Sequence, residues 1–535
     1  VIEDGEGNEM SKKSVAVILT VVFILMLALT GCGGKKNEAP VTTKDDKAGA
    51  VTRGGVLKTA QAAKWSSLDP TVSSGRANDK FIMNQLYETL IDVDSSGKYI
   101  PGLAESWEVK EGKTILLKLK KNVKFHDGTE FNATAVKFLL ERALNPETKA
   151  GFRTEIADIQ SIQIVDAHTV QLNLKSPSSA ILGALSNYAG YMVSPAAIQK
   201  YGKDIVRNPV GTGPFKFKEA VEGDHITLVK NENYHVMGAD GKPLPYLDGV
   251  EVKIIPDDSV KLVNLKSGSL DLIDSVQTMN IQSLSQSKDF VVAPTSASRV
   301  FKMLLNVTKE PLSKKEVRQA IAYAMDREEF VKVVANGYGV VEPFITMKSQ
   351  WFYSPVSKYS NNAQKAKELL TQAGYPNGLK IKLSFTSREP DKTIIQLVQS
   401  QLKKVGIEGE IETYDRLAFN AKWTKREGEI GLNFAPVPKP DPYLQYEIFF
   451  GSQANNNFTG YTSKQFDELL AKSKETYDVE KRKELYKDLQ QLLLEDSPEV
   501  FLFHLPLFQA HVKKLQGFRA DPEGGWILRS AWLQK

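Results

Sequence analysis

The chain is 535 residues long, 41% hydrophobic and 25% charged, with a formal charge of +5 and one cysteine. These values are ordinary for a soluble globular protein, and a body of this length is too long for one core, so two or more lobes are expected. The single cysteine excludes disulfides and CxxC zinc or redox motifs, and the basic excess is spread without arginine-rich or basic–aromatic runs, so no nucleic-acid partner is expected.

The first element is an export signal. Met10-Ser11-Lys12-Lys13-Ser14 is a short basic start, and an apolar run from Val15 to Leu29 follows, broken only by Thr20. That run is too short to span a bilayer comfortably and suits a signal-peptide core. It ends in Leu29-Thr30-Gly31-Cys32, which resembles the lipobox of bacterial lipoproteins. The resemblance implies a covalent diacylglyceryl lipid on Cys32, cleavage before it, and no other cofactor. Each buried methylene contributes roughly 0.8 kcal/mol, so two or more acyl chains anchor stably. The acidic residues Glu3, Asp4, Glu6 and Glu9 precede a segment that should begin basic, so translation is expected to start at Met10. Removing residues 1–31 raises the charge to +7. Residues 32–54 are polar and read as a flexible lipidated tether, which places the body on the extracellular face of the bacterial cytoplasmic membrane.

Strands and helices then mix without repeats. The alternation of Thr114–Lys121 predicts a strand, and Lys124-Phe125-His126-Asp127-Gly128 a turn. Asn132 predicts an N-cap for a helix with the stripe Val136, Leu139, Leu140, Ala143 and Leu144, ended by Asn145-Pro146. Gly211-Thr212-Gly213-Pro214 reads as a tight turn whose glycines permit positive φ. Ser313-Lys314-Lys315-Glu316 reads as a capping box before Val317, Ala320, Ile321, Ala324 and Met325. A helix over 365–373 is stopped by Gly374 and Pro376, and one over 393–405 by Gly406, with a strand over 408–413. Ser463 and Asp478 should cap two late helices, the second carrying Leu485, Leu489, Leu492 and Leu493, and 500–512 reads as a buried strand interrupted by Pro506.

Five segments in order resemble the family 5 extracellular solute-binding proteins of ABC importers. They are Leu86–Leu90 leading to Pro101-Gly102-Leu103-Ala104-Glu105-Ser106-Trp107, Val123–Thr129 with Phe131, Asn208–Phe215, Val317–Arg327, and Tyr461–Pro498. The resemblance covers about Gly55 to Trp532. It implies an α/β, two-lobed periplasmic-binding-protein-like fold with a hinge. Lobe I would be 55–301 plus 495–535, with an outlying subdomain at 76–204, and lobe II 302–494. The chain would cross between lobes near 300–306 and 498–503, with ligand between the lobes. The protein would act as a monomer that hands its ligand to ABC permease subunits and their ATPases.

A peptide is the first ligand the resemblance implies, held by main-chain hydrogen bonds and charged anchors. Alternatives are a metal chelate or opine-like anion, an oligosaccharide, or a surface sensor that does not import. Arg388 lies in a loop resembling the carboxylate-binding arginine loop of dipeptide binders. Pro438 stands where peptide binders carry an amine-binding aspartate, and Asp441 matches the following Asp-Pro, which caps the next helix. Lys439 could favour an anionic group. Trp65, Tyr188, Trp423, Phe434 and Tyr461 are candidate cleft walls, so the candidate ligand-binding set is Arg388, Trp65, Tyr188, Phe434, Asp441, Trp423 and Tyr461. No pair among His126, His168, His225, His235, His504 and His511 shows helix spacing with a carboxylate, so no direct metal site is expected. No GxSxG, HExxH or GxxxxGK[ST] occurs, which argues against an enzyme.

Overall fold

A computed structural model describes residues 51–535 apart from 74–75, 343, 349, 357–358, 438–440 and 522–524, and side chains apart from those of 76–78, 296–298 and 436–437 as well. Cys32, the signal segment, Pro438 and Lys439 lie outside the described residues.

Ten strands form one continuous sheet: β1 (Val56–Gln61), β2 (Phe215–Val221), β3 (His225–Lys230), β4 (Gly249–Ile254), β5 (Leu272–Ile273), β6 (Phe290–Leu305), β7 (Leu379–Thr386), β8 (Ile407–Tyr414), β9 (Ile430–Val437) and β10 (Glu499–Val512). Their spatial order is β8-β7-β9-β6-β10-β5-β1-β4-β3-β2. Two parallel groups, β8-β7-β9 and β5-β1-β4, are joined by the long antiparallel pair β6 and β10. That pair breaks register between Pro294 and Ser298, opposite Phe508 and Pro506. A bulge disrupts the ladder locally and bends it. Pro506 sits at the edge of the break, paired with Ser298, where a proline's missing N–H is tolerated in a sheet. One core holds Ala60, Leu265, Ile273 and Phe508 on one side of the break, and another holds Phe301, Ile321, Leu383 and Phe503 on the other. The long strands thus carry separate cores on either side of the break, and a further core holds Leu57, Phe81, Tyr87 and Leu140.

The helices used below are α1 (Ala133–Leu144), α2 (Lys315–Ala324), α3 (Ala363–Gln372), α4 (Asp391–Lys403), α5 (Arg416–Thr424), α6 (Pro442–Phe450), α7 (Lys464–Glu475) and α8 (Val479–Asp496). Asn132 caps α1 by accepting from the Ala135 N–H, and Val136, Leu139, Leu140 and Ala143 are buried. Ser463 and Asp478 cap α7 and α8 as their positions predict. Gly374 and Gly406, both at positive φ, end the chain's helical paths after α3 and α4.

Two expectations of turn chemistry fail. Ser313 does not cap α2: Lys314 takes that place without a side-chain bond, and the Ser313 hydroxyl donates to Glu310 instead. Gly211 and Gly213 are not at positive φ. They are small because the backbone of Gln85 and Leu86 runs against them, and a Cβ on Gly211 would stand 2.1 Å from the Leu86 carbonyl oxygen. His126 holds this junction. Its Nδ1 accepts from the Gly211 N–H at 3.2 Å, so Nε2 carries the proton and donates to the Gly213 carbonyl at 3.0 Å.

A separate four-stranded antiparallel sheet, Ala104–Lys110, Thr114–Leu119, Thr169–Leu174 and Ile159–Asp166 in spatial order, packs on α1. It meets the second lobe. The Ser179 N–H donates to the Lys474 carbonyl at 2.7 Å, Lys474 pairs with Asp158 at 2.6 Å, and the Tyr477 hydroxyl donates to the Gly112 carbonyl at 3.3 Å.

Candidate functional site at the carboxyl edge of the second lobe

Parallel strands end together, and their carboxyl edge is where open α/β sheets bind ligands. β7, β8 and β9 run parallel, so the residues leaving Thr386, Tyr414 and Val437 share one edge. Arg388 follows the end of β7, and Arg416 follows the end of β8 as the first residue of α5, whose N-cap Asp415 accepts from the Ala418 N–H. β6 brings Arg299 to the same edge, opposite Pro436 of β9.

These three arginines surround one ring. The guanidinium carbons of Arg299, Arg388 and Arg416 lie 5.7, 5.2 and 5.4 Å from the centre of the half-buried Phe434 ring. Cation–π attraction contributes about 0.5–1 kcal/mol at such exposed sites, too little to neutralise three like charges. Among the described residues, the one carboxylate that pairs with any of them is Asp391, 3.7 Å from the Arg388 Nε. Asp391 is buried, and the Thr386 hydroxyl also donates to it. Burial, and then the Arg388 charge, hold the Arg416 guanidinium below its usual range, while Asp391 acts in the opposite direction. Arg416 Nη1 is buried with no hydrogen-bond partner. Arg388 itself keeps 52% of its side chain exposed. The edge therefore presents uncompensated cations around an aromatic surface, which is chemistry for an anionic group on a partly apolar ligand.

Asp441 takes the capping place that its Asp-Pro position implies, and not the ligand-binding one. It is fully buried and caps α6 by accepting from the Tyr443 N–H. Arg482 Nη2 donates to both of its oxygens at 2.7 and 2.9 Å, and the Tyr99 hydroxyl donates at 2.8 Å. The carboxylate has no room left for a ligand amine. Burial works against the Arg482 charge, but Asp441 wins and raises its pKa. The same cluster ties Tyr99, on the side of the outlying sheet, to the second lobe.

The aromatic candidates divide. Phe434 stands at the edge just described. Trp65, past the end of β1, is half-buried against the core that holds Leu57 and Tyr87 and borders a cavity with Lys64 and Phe217. Trp423 is buried beneath Gly428 and Gly431, where a Cβ would meet its ring at 2.6 and 2.3 Å. Tyr188 packs edge-on against Tyr191 in the core that holds Leu57 and Tyr87. Tyr461 is buried and donates to Asp496 at 2.7 Å. These three side chains are buried in cores, where large aromatics gain most. Another concavity, beside Trp351 and lined by Glu88, Asp92 and Arg529, has both of these carboxylates engaged: Glu88 takes His235 at 2.9 Å, and Asp92 takes Arg519 and Arg529 at 3.1 and 3.7 Å. Among the described residues no group of three or more His, Cys, Asp or Glu is placed to hold a metal ion.

Sequence reasoning missed Arg299 and Arg416. The signal for Arg416 was present: it stands just beyond the predicted strand 408–413, as Arg388 stands beyond its own strand.

Residues 98–457 match the bacterial extracellular solute-binding proteins, family 5, middle region. The chain belongs to that family. This family 5 protein is 31% identical over 508 residues to the glutathione-binding protein GsiB of Escherichia coli, covering 89% of this chain and 94% of the relative. It resembles the ABC transporter-associated periplasmic binding protein DppA of Helicobacter pylori, solved with the peptide STSA, at 27% identity and a TM-score of 0.74, covering 90% of this chain and 99% of that one. It also resembles AgaA of A. tumefaciens, solved with agropinic acid, at 29% identity and a TM-score of 0.73 over the same shares. These relatives are binding proteins, and the family 5 protein is a binder and not an enzyme.

Proposed function

We propose that this protein captures a short peptide or peptide-like ligand outside the cytoplasmic membrane and delivers it to the permease of an ABC importer. The observation that carries the reading is Arg388, half-exposed at the carboxyl edge beside the Phe434 ring, where it offers a bidentate donor to a ligand carboxylate. Relatives named for glutathione and solved with a peptide support it. Cys32 carries the lipid that keeps the protein at the membrane, and the break between Pro294 and Ser298 is where the shared strands flex as the lobes close on ligand.

Calorimetric titration with glutathione, a dipeptide and a tetrapeptide tests the ligand class. Saturable binding of at least one, weakened by Arg388→Ala, is expected; binding of an oligosaccharide with no response to any peptide would overturn it. An opine-like anion is the second reading, favoured by the unbalanced arginines and by the likeness to AgaA. Lipidation is tested by metabolic labelling with an alkyne fatty acid, which Cys32→Ser should abolish while releasing the protein into the medium.

A further inference from the structure

The charge count at the carboxyl edge goes further than the ligand class, and rests on the reading of that edge as the ligand site. Among the described residues, Arg299, Arg388 and Arg416 contribute three permanent cations around Phe434, against the single carboxylate of Asp391. Guanidinium groups do not lose their protons in proteins, so crowding cannot be relieved by titration. Arg388 has its carboxylate within reach in Asp391 and remains half-exposed toward solvent. Arg299 and Arg416 are paired with no carboxylate among the described residues, and Arg416 keeps a buried Nη1 without a hydrogen-bond acceptor. A buried donor left unpaired is costly, and a ligand oxygen that reaches it gains what the empty site lacks. Counting the described residues, one ligand carboxylate would leave this edge with an excess cation and two would balance it.

We infer that this edge selects ligands with two carboxylates, Arg388 taking one and Arg299 and Arg416 the other, so that an acidic short peptide is preferred over its neutral counterpart. Phe434 supplies the apolar floor on which the ligand chain between the two carboxylates rests. Arg299 and Arg416 are then the specificity-determining residues, and Arg388 the general anchor.

The test compares the tripeptide Ala-Glu-Ala with its amide counterpart Ala-Gln-Ala by calorimetry on the mature protein. The two differ by one carboxylate. The acidic peptide should bind roughly tenfold tighter or more, the scale of an added charge-assisted hydrogen bond. Arg416→Gln and Arg299→Gln should each weaken Ala-Glu-Ala more than Ala-Gln-Ala and so narrow that gap, and added salt should narrow it in the unmodified protein. Unchanged thermal midpoints would show that the variants fold. Equal affinity for the two peptides, or a gap that survives in the double variant, overturns the inference while leaving peptide capture intact. A second pair, glutarate and its monoamide, read by thermal shift, separates the two failures. A shift with glutarate alone, when neither peptide binds, sinks the peptide reading and upholds the two-carboxylate site. No discrimination within either pair overturns the inference.

Discussion

The Arg416 guanidinium stands 5.4 Å from the centre of the Phe434 ring, and its Nη1 is buried without an acceptor. A buried donor without an acceptor carries a desolvation cost that a ligand oxygen reaching it can relieve. Two strand ends and an antiparallel neighbour converge to make this arrangement, so it depends on the sheet and not on a single loop.

Replacing Arg388 by alanine should weaken peptide binding by about 1.5–3 kcal/mol, the usual contribution of hydrogen bonds to a charged group, or roughly ten- to a hundredfold in Kd. Its side chain is half-exposed, so the thermal midpoint should hardly move. Calorimetry and a melting curve on the same preparation check both halves.

Asp441→Asn should act on stability. The substitution leaves Arg482 buried against one fewer charge, and breaking a buried pair typically costs about 3–5 kcal/mol. Urea unfolding should show the loss. A variant of unchanged stability with reduced affinity would instead return Asp441 to the ligand site.

Gly211→Ala should destabilise or prevent folding, because the new Cβ would stand 2.1 Å from the Leu86 carbonyl oxygen, which is backbone and cannot swing away. The yield of soluble protein, compared with that of Gly223→Ala, measures the effect apart from general glycine loss. Gly223 is at positive φ but has no atom within 4 Å of such a Cβ, so its replacement should cost only the modest strain of that backbone conformation.

Stability should fall as pH drops from about 7 toward 4. Burial lowers His126 to about 4, against the opposing bond to the Gly213 carbonyl, with Lys216 lowering it further and Glu88 and Asp127 raising it. Burial likewise lowers His504 to about 4, beside the Phe344 carbonyl. The unfolded chain takes up protons near the ordinary histidine value while the folded chain does not, so each contribution is full above about 6.5 and lost as pH falls to about 4. Each histidine accounts for up to roughly 3 kcal/mol. Urea midpoints across that range should show the slope, and His504→Gln, which cannot protonate, should flatten its share.

Much of the fold was legible in the sequence. Local signals with one physical reading held: Asn132, Ser463 and Asp478 cap their helices, and Gly374 and Gly406 terminate theirs. Local signals with two readings did not. Ser313-x-x-Glu316 has the letters of a capping box, but the Ser313 hydroxyl turns back to Glu310. The glycines of Gly211-Thr212-Gly213 look like turn glycines, yet they answer to a backbone more than a hundred residues earlier in the chain. The site was less legible for the same reason. Arg388 and Phe434 could be nominated from their segments, but whether Trp423 or Tyr461 faces ligand or core depends on what packs above it. Asp441 could be read as a cap, and the structure gives it that place, together with Arg482 and Tyr99, which no local pattern announces.

The most direct test of the account is a crystal structure of the protein with its tightest-binding short peptide. A ligand carboxylate within hydrogen-bond distance of Arg388, a second oxygen on Arg416 or Arg299, and the Phe434 ring covered are the expected result. A peptide seated elsewhere, such as the concavity beside Trp351 and Glu88, with the three arginines still facing solvent, would contradict it.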